Sequence, residues 1–165
     1  MSALVAFGFA FGLLAAPTCT PTHPNGTQPP PEVVYSPAFS DGRLAEAYRA
    51  GRTKPDKHFH GNGEIWTTLS SDGRYVMPRS RLAADGTIGF KMMWYLAHAG
   101  PMTLSARRLD ATAAAAVTSV GDAVGEPRFH SSGVAFPSAG CWEVSARTRG
   151  STLTFVMDVA VEDVP

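Results

Sequence analysis

Over the C-terminal two thirds of the chain, apolar and polar residues alternate, and turn residues interrupt the alternation at short intervals. Successive side chains of a strand point to opposite faces of a sheet, so a period of two is typical of strands with one buried face. The pattern predicts strands over residues 64–69, 74–77, 87–96, 102–109, 141–148 and 151–161. The alanine-rich run from Ala111 to Val117 is compatible with either a short helix or an extended connection.

Turn residues between these strands indicate how they are connected. Ser71-Asp72-Gly73 predicts a hairpin that pairs the strands on its two sides, and Arg149-Gly150 predicts another near the C-terminus. About seven or eight short strands with regularly spaced turns are typical of an antiparallel β-sandwich. We therefore expect an all-β sandwich domain over residues 58–165, with a closed barrel as the alternative.

The region before this domain has a different composition. Seven of the thirteen prolines lie between Pro17 and Pro37, among polar residues that form no apolar face. This composition predicts an extended, solvated Pro-rich tether over residues 20–39. Ser40 to Gly51 has a capping residue, an apolar face and a terminal glycine, so residues 40–57 are expected to form a short helix and a loop.

The N-terminus carries an uncharged apolar run from Ala3 to Ala16. A membrane span needs about 20 apolar residues, so this run is more typical of the core of a secretory signal. Because Cys19 follows closely, residues 1–19 are predicted to be a lipoprotein signal segment that anchors the protein to the membrane through a lipid on Cys19. Ordinary signal cleavage near Cys19 and an uncleaved anchor are the alternatives. All three interpretations place the domain outside the cytoplasm, in the cell envelope or secreted.

Cys19 and Cys141 are the only cysteines. In an oxidising compartment they could pair with each other. If Cys19 is acylated instead, Cys141 is either a buried thiol or a free one, and a free thiol near His130 could act as a nucleophile. Two cysteines this far apart contain no Cys-x-x-Cys motif, which excludes zinc ribbons and thioredoxin-like chemistry.

Charge and composition narrow the classes of function. The chain has 14 basic and 14 acidic residues and a net charge of zero, so it has no basic surface typical of nucleic-acid binding. Its 16 glycines and 13 prolines argue against a helical bundle. The acidic residues are scattered singly, mostly beside turn glycines, so no pair of carboxylates is placed for acid–base catalysis.

Two groups of residues could bind a ligand. His58 and His60 lie at positions i and i+2, so in an extended segment both imidazoles point to one side and could chelate copper or zinc. Aromatic side chains could form a platform for a glycan or a partner protein, although their apolar neighbours favour a place in the core; they are Trp66, Tyr75, Trp94, Tyr95 and Trp142.

Three segments carry a resemblance to known proteins: His60-Gly-Asn-Gly-Glu-Ile-Trp66, Arg107-Arg-Leu-Asp-Ala111, and residues 133–147 with Gly-Cys-Trp-Glu-Val inside them. Through them the chain resembles a family of small bacterial exported proteins and lipoproteins that lacks an assigned activity. The resemblance spans residues 58–161. It implies an Ig-like β-sandwich behind a signal or lipid anchor, and it implies no catalytic residues.

These observations favour a non-enzymatic, envelope-anchored accessory or ligand-binding domain, whose partner is an envelope protein or a glycan. One alternative is a periplasmic or extracellular copper or zinc carrier that uses His58 and His60. Another is a hydrolase whose site forms only in three dimensions. We expect no other cofactor.

Overall fold

The computed structural model describes residues 18–29, 57–121 and 128–163, and these contain nine strands and one 3-10 turn. The strands are β1 (Lys57–Gly61), β2 (Ile65–Ser70), β3 (Arg74–Pro78), β4 (Ile88–Leu96), β5 (Met102–Arg108), β6 (Val117–Val120), β7 (Phe129–Phe136), β8 (Gly140–Thr148) and β9 (Ser151–Glu162). The 3-10 turn Arg79–Arg81 follows β3. The helix predicted over residues 40–51 lies outside the described residues.

The strands form two sheets that pack face to face. One sheet has the order β1-β2-β4-β7-β6 and the other has the order β3-β9-β8-β5. The alternating apolar residues of both sheets meet between them and form the hydrophobic core. The largest fully buried side chains of this core are Trp94, Phe136, Trp142 and Phe155. The predicted all-β sandwich is therefore confirmed.

The strand order is that of an immunoglobulin-like domain. Strands β2, β4, β7 and β6 take the places of A, B, E and D, and β5, β8 and β9 take those of C, F and G. The last strand pairs with β3 in parallel, from Arg74 opposite Asp158 to Pro78 opposite Glu162, whereas the other pairings are antiparallel. The strand order is thus Ig-like, as expected, with two differences. The sheet that contains β3 and β9 is mixed, and β1 is an additional edge strand of the other sheet.

The predicted hairpin at Ser71-Asp72-Gly73 is wrong, because β2 and β3 lie in different sheets. The turn itself is present, since Gly73 has a φ of 67° and Gly73 N donates to Ser70 O at 3.1 Å. However, β2 is already paired with β1 on one side and β4 on the other. A strand therefore already lies on each side of β2, and β3 continues onward and pairs with β9 in the other sheet instead.

The tether predicted over residues 20–39 is described only as far as Pro29, and residues 30–39 lie outside the described residues. The described segment Thr18–Pro29, called the strap below, is hydrogen-bonded to the sandwich, which its composition does not predict. Thr22 N donates to Val156 O at 2.8 Å, and Thr22 Oγ1 accepts from Val156 N at 2.9 Å. Val156 lies just before the part of β9 that β3 covers. The strap therefore satisfies an edge that β3 leaves open. Farther along, Gly26 N donates to Phe59 O of the edge strand β1 at 3.0 Å.

Candidate functional site

An open cleft of about 430 Å³ lies at one end of the sandwich. Three connections meet there: the β1–β2 loop, the β4–β5 loop and the β8–β9 turn. In immunoglobulin terms the last two are the B–C and F–G loops, which lie at the same end as the binding loops of variable domains. The cleft is lined by Glu64, His98, Thr148, Arg149, Gly150 and Ser151.

Asn62 holds the first of these loops in place. Its Oδ1 accepts from Glu64 N at 3.0 Å and from Ile65 N at 2.9 Å, which closes the turn before β2. Its Nδ2 donates to Ser151 Oγ at 3.1 Å and to Thr152 O at 3.0 Å, across to the other sheet. One amide therefore joins both walls of the cleft.

The cleft carries charges of both signs that are open to solvent. Glu64 Oε2 lies 3.8 Å from His98 Nε2, and their side chains are 51% and 78% exposed. Among the described residues, Arg149 has no acidic partner. Its side chain passes over Gly100, where a β-carbon would lie 3.5 Å from Arg149 Nε. A free guanidinium beside hydroxyl groups and a carboxylate is suited to a polar ligand that has an anionic group and hydroxyls.

Among the described residues, no hydroxyl group that lines the cleft is hydrogen-bonded to His98, whose imidazole lies beside Glu64 instead. The hydroxyl of Thr148 donates to Pro101 O at 3.1 Å, so it faces a backbone carbonyl and not His98. A nucleophile has to lie within hydrogen-bond reach of its base, which is in turn oriented by a third group. The described residues of the cleft contain no such chain of contacts.

The two histidines predicted to chelate a metal lie on one face of β1, but in different environments. His58 is exposed, whereas His60 is 8% exposed and its ring lies edge-on to Phe155, with centroids 5.9 Å apart. Burial lowers the pKa of His60, and its Nδ1 has no hydrogen-bond partner among the described residues. Over the described residues, no three His, Cys, Asp or Glu side chains come together as a metal site. The described residues therefore place no third ligand for copper or zinc beside His58 and His60.

Cys19 and Cys141 form a disulfide, with their Cα atoms 5.3 Å apart. The structure thus adopts the pairing that the sequence left open. This bond and a lipid on Cys19 are mutually exclusive, because both use the same sulfur. The bond likewise leaves Cys141 without a thiol for catalysis, and His130 lies in β7 of the opposite sheet.

The aromatic residues are used mainly for packing. Trp94 and Trp142 are fully buried in the core, and Trp94 Nε1 donates to Ser132 Oγ at 2.8 Å. Trp66 lies on the outer face of its sheet but is only 2% exposed, and burial raises the pKa of its cross-strand neighbour Tyr95. Neither Trp66 nor Tyr95 therefore forms an exposed platform for a sugar.

The residues that form the cleft were not identified from the sequence as a site. Glu64, His98 and Arg149 each stand alone in the chain, separated by more than thirty residues. The only local signal is that each lies at a predicted strand end, where binding loops are common. Their proximity depends on the strand order of the sandwich, which the pattern of single residues does not contain.

Comparison with known proteins adds no relative. The chain matches no protein-family model, and no curated protein is detectably similar to it in sequence. The described parts of the chain also contain no apolar helix of membrane-spanning length. The family resemblance of residues 58–161 therefore stays a prediction.

Proposed function

We propose that this protein is a non-enzymatic ligand-binding module of the cell envelope, and that its cleft binds a small polar ligand with a carboxylate group. The observation that carries the proposal is the guanidinium of Arg149, which lies without an acidic partner among the described residues, in a cleft lined by hydroxyl groups. An unpaired guanidinium at the rim of a built cleft is suited to bidentate binding of a carboxylate. Glu64 and Ser151 are placed to contact hydroxyl groups of the same ligand.

A location outside the cytoplasm is part of this proposal. The disulfide between Cys19 and Cys141 supports it, because disulfides persist in oxidising compartments and are rare in the cytosol. The apolar run from Ala3 to Ala16 supports it independently. Since Cys19 is used in the disulfide, the proposal does not require a lipid anchor on that residue.

The test compares two envelope sugars that differ only in a carboxylate-bearing substituent. N-acetylmuramic acid carries a lactyl carboxylate that N-acetylglucosamine lacks. Each is titrated into the isotope-labelled protein while backbone amide shifts are followed by NMR. We expect N-acetylmuramic acid to shift the amides of His98, Arg149 and Gly150, and N-acetylglucosamine to leave them unchanged.

A matched pair of variants locates the contact. Arg149→Gln should weaken binding about tenfold or more, because a hydrogen bond to a charged group contributes about 1.5–3 kcal/mol. Arg81→Gln removes an exposed arginine at the other end of the sandwich and should leave the affinity unchanged. Equal shifts with both sugars, or equal affinity in Arg149→Gln, would contradict the proposal.

A further inference from the structure

We propose that the Asn25-Gly26 peptide of the strap is a deamidation site that the docked strap protects, and that opening of the Cys19–Cys141 disulfide makes it reactive. None of the residues that line the cleft belongs to the strap. The site of modification is Asn25, and the disulfide controls the rate at which it reacts.

Four hydrogen bonds hold the two reacting groups apart in the docked strap. Asn25 Nδ2 donates to Gly61 O at 2.6 Å, and Asn25 Oδ1 accepts from Gly61 N at 3.1 Å. The same oxygen accepts from Thr27 N at 3.0 Å. Gly26 N, the atom that would have to attack, donates its hydrogen to Phe59 O at 3.0 Å. Reaction therefore requires the strap to leave β1.

The reaction itself needs only water. The backbone nitrogen of Gly26 attacks Cγ of Asn25, forms a C–N bond and loses its proton, and the side-chain amide nitrogen leaves as ammonia. The resulting cyclic imide adds one water at either carbonyl, which gives aspartate or isoaspartate at position 25. Glycine at position 26 favours the step because it has no side chain to obstruct the approach.

The disulfide determines how readily the strap leaves. Cys19 joins the strap to β8, six residues before Asn25, and between them Thr22 is bonded to β9. A dithiol reductant would open the bond by donating two electrons and two protons, and it would itself become a disulfide. The strap would then be held by hydrogen bonds alone, and local opening of such segments requires little free energy.

Deamidation would prevent the strap from docking again. The group that donates to Gly61 O at 2.6 Å would become a carboxylate oxygen, so two acceptors would face each other at that position. Isoaspartate would also lengthen the backbone by one carbon. The modification would therefore turn a reversible opening into a permanent one, and it would leave the outer edge of β1 without this partner.

The chain contains its own control, because Asn62-Gly63 in the β1–β2 loop is the same dipeptide. Asn62 is held by hydrogen bonds to Ser151 and Thr152, neither of which belongs to the strap. In the described residues, Gly63 N has no hydrogen-bond partner, in contrast to Gly26 N. Its reaction rate should therefore be independent of the disulfide.

The experiment follows both sites in one sample. The full chain and its Cys19→Ser variant are incubated at neutral pH, and the mass of the two Asn-Gly peptides is measured over time after proteolysis. We expect deamidation at Asn25 to be at least about tenfold faster in Cys19→Ser, as for a difference of 1.4 kcal/mol in opening free energy. The rate at Asn62 should be the same in both proteins.

A second measurement uses the unmutated chain with and without dithiothreitol, and it should give the same difference at Asn25. Equal rates at Asn25 in the oxidised and reduced proteins would overturn the proposal. So would an absence of reaction at Asn25 in Cys19→Ser while Asn62 reacts. An equal increase in the deamidation rate at Asn25 and Asn62 would mean that the whole domain opens. That result would also contradict the proposal, which requires local opening of the strap.

Discussion

Glycine at position 61 allows a tryptophan to lie flat across the edge of the sandwich. A β-carbon at Gly61 would lie 2.1 Å from Cδ1 of Trp66, which is far inside van der Waals contact. The indole is 2% exposed although it lies on the outer face of the sheet. Gly61 also pairs with the amide of Asn25 through both of its backbone groups. The absence of a side chain at position 61 therefore leaves room for the Trp66 indole, and the backbone of the same residue binds the strap.

Gly61→Ala should therefore destabilise the protein by about 1–3 kcal/mol, because the added methyl group forces the buried indole to move. The free energy of unfolding is measured by urea denaturation followed by tryptophan fluorescence. Gly89→Ala is the matched control, since a β-carbon on that strand glycine meets nothing within 4 Å. Equal stability of the two variants would show that Trp66 adapts without loss.

The burial of His60 should make the stability of the protein depend on pH. Its imidazole is buried beside Phe155, and its pKa is lowered from the ordinary 6.5 because burial disfavours the charged form. The folded protein therefore binds a proton at this position less readily than the unfolded chain. By linkage, the stability associated with neutral His60 is fully present above pH 6.5, and the free energy of unfolding declines as the pH falls through that value.

The predicted loss should stop growing once the pH is below the lowered pKa of folded His60. His60→Phe removes the titrating group and should abolish this part of the pH dependence, which is measured by urea denaturation between pH 7.5 and pH 5, a range we choose to bracket the transition. His58→Phe removes an exposed imidazole and serves as the control. An unchanged pH profile in His60→Phe would contradict the assignment.

At the scale of elements, the strap behaves as an added partner of two edges. It bonds to β9 through Thr22 and to β1 through Asn25 and Gly26. Edges of sheets carry unpaired backbone groups that favour unwanted association, so coverage from within the chain protects them. Proline-rich composition is compatible with this role, because an edge segment does not need every N–H group.

Thr22→Val keeps the shape of the side chain but removes the oxygen that accepts from Val156 N. We expect a loss of about 0.5–1.5 kcal/mol of unfolding free energy, as for the loss of one part-buried hydrogen bond. Hydrogen exchange at the Val156 amide should become faster, whereas exchange in β4 should not change. Thr20→Val, an exposed position of the same strap, is the control. Unaltered exchange at Val156 would show that the strap does not protect β9.

At the scale of the whole molecule, one covalent bond links residues 122 positions apart. A disulfide that closes a long loop restricts the unfolded chain and typically stabilises a protein by about 2–4 kcal/mol. The double variant Cys19→Ser/Cys141→Ala should lose about this amount in urea denaturation. Reduction of the unmutated protein should have a similar effect, and equal stability of the oxidised and reduced forms would contradict the prediction.

The sequence predicts strands best where the alternation of apolar and polar residues matches the burial of their side chains. The six predicted strands are present with ends that differ by at most one residue, because their alternation reports which side chains face the core. Strand β1 was missed since His58-Phe59-His60 reads as part of a polar loop, and β6 and β7 were not delimited. The Ser71-Asp72-Gly73 turn is predicted correctly. The local pattern does not indicate that the strands on its two sides belong to different sheets.

The amino-acid sequence alone is sufficient to predict the sandwich, since alternating apolar residues have to be buried on one face of each strand whatever the strand order. The tertiary structure alone decided three things: the sheet that β3 joins, the docking of the strap, and the meeting of Glu64, His98 and Arg149. The first two depend on which edges remain free after the other strands have paired. The third depends on the order of the strands, which brings three loops to the same end of the sandwich. Free edges belong to the assembled sheets and not to any segment, so a local pattern contains no record of them.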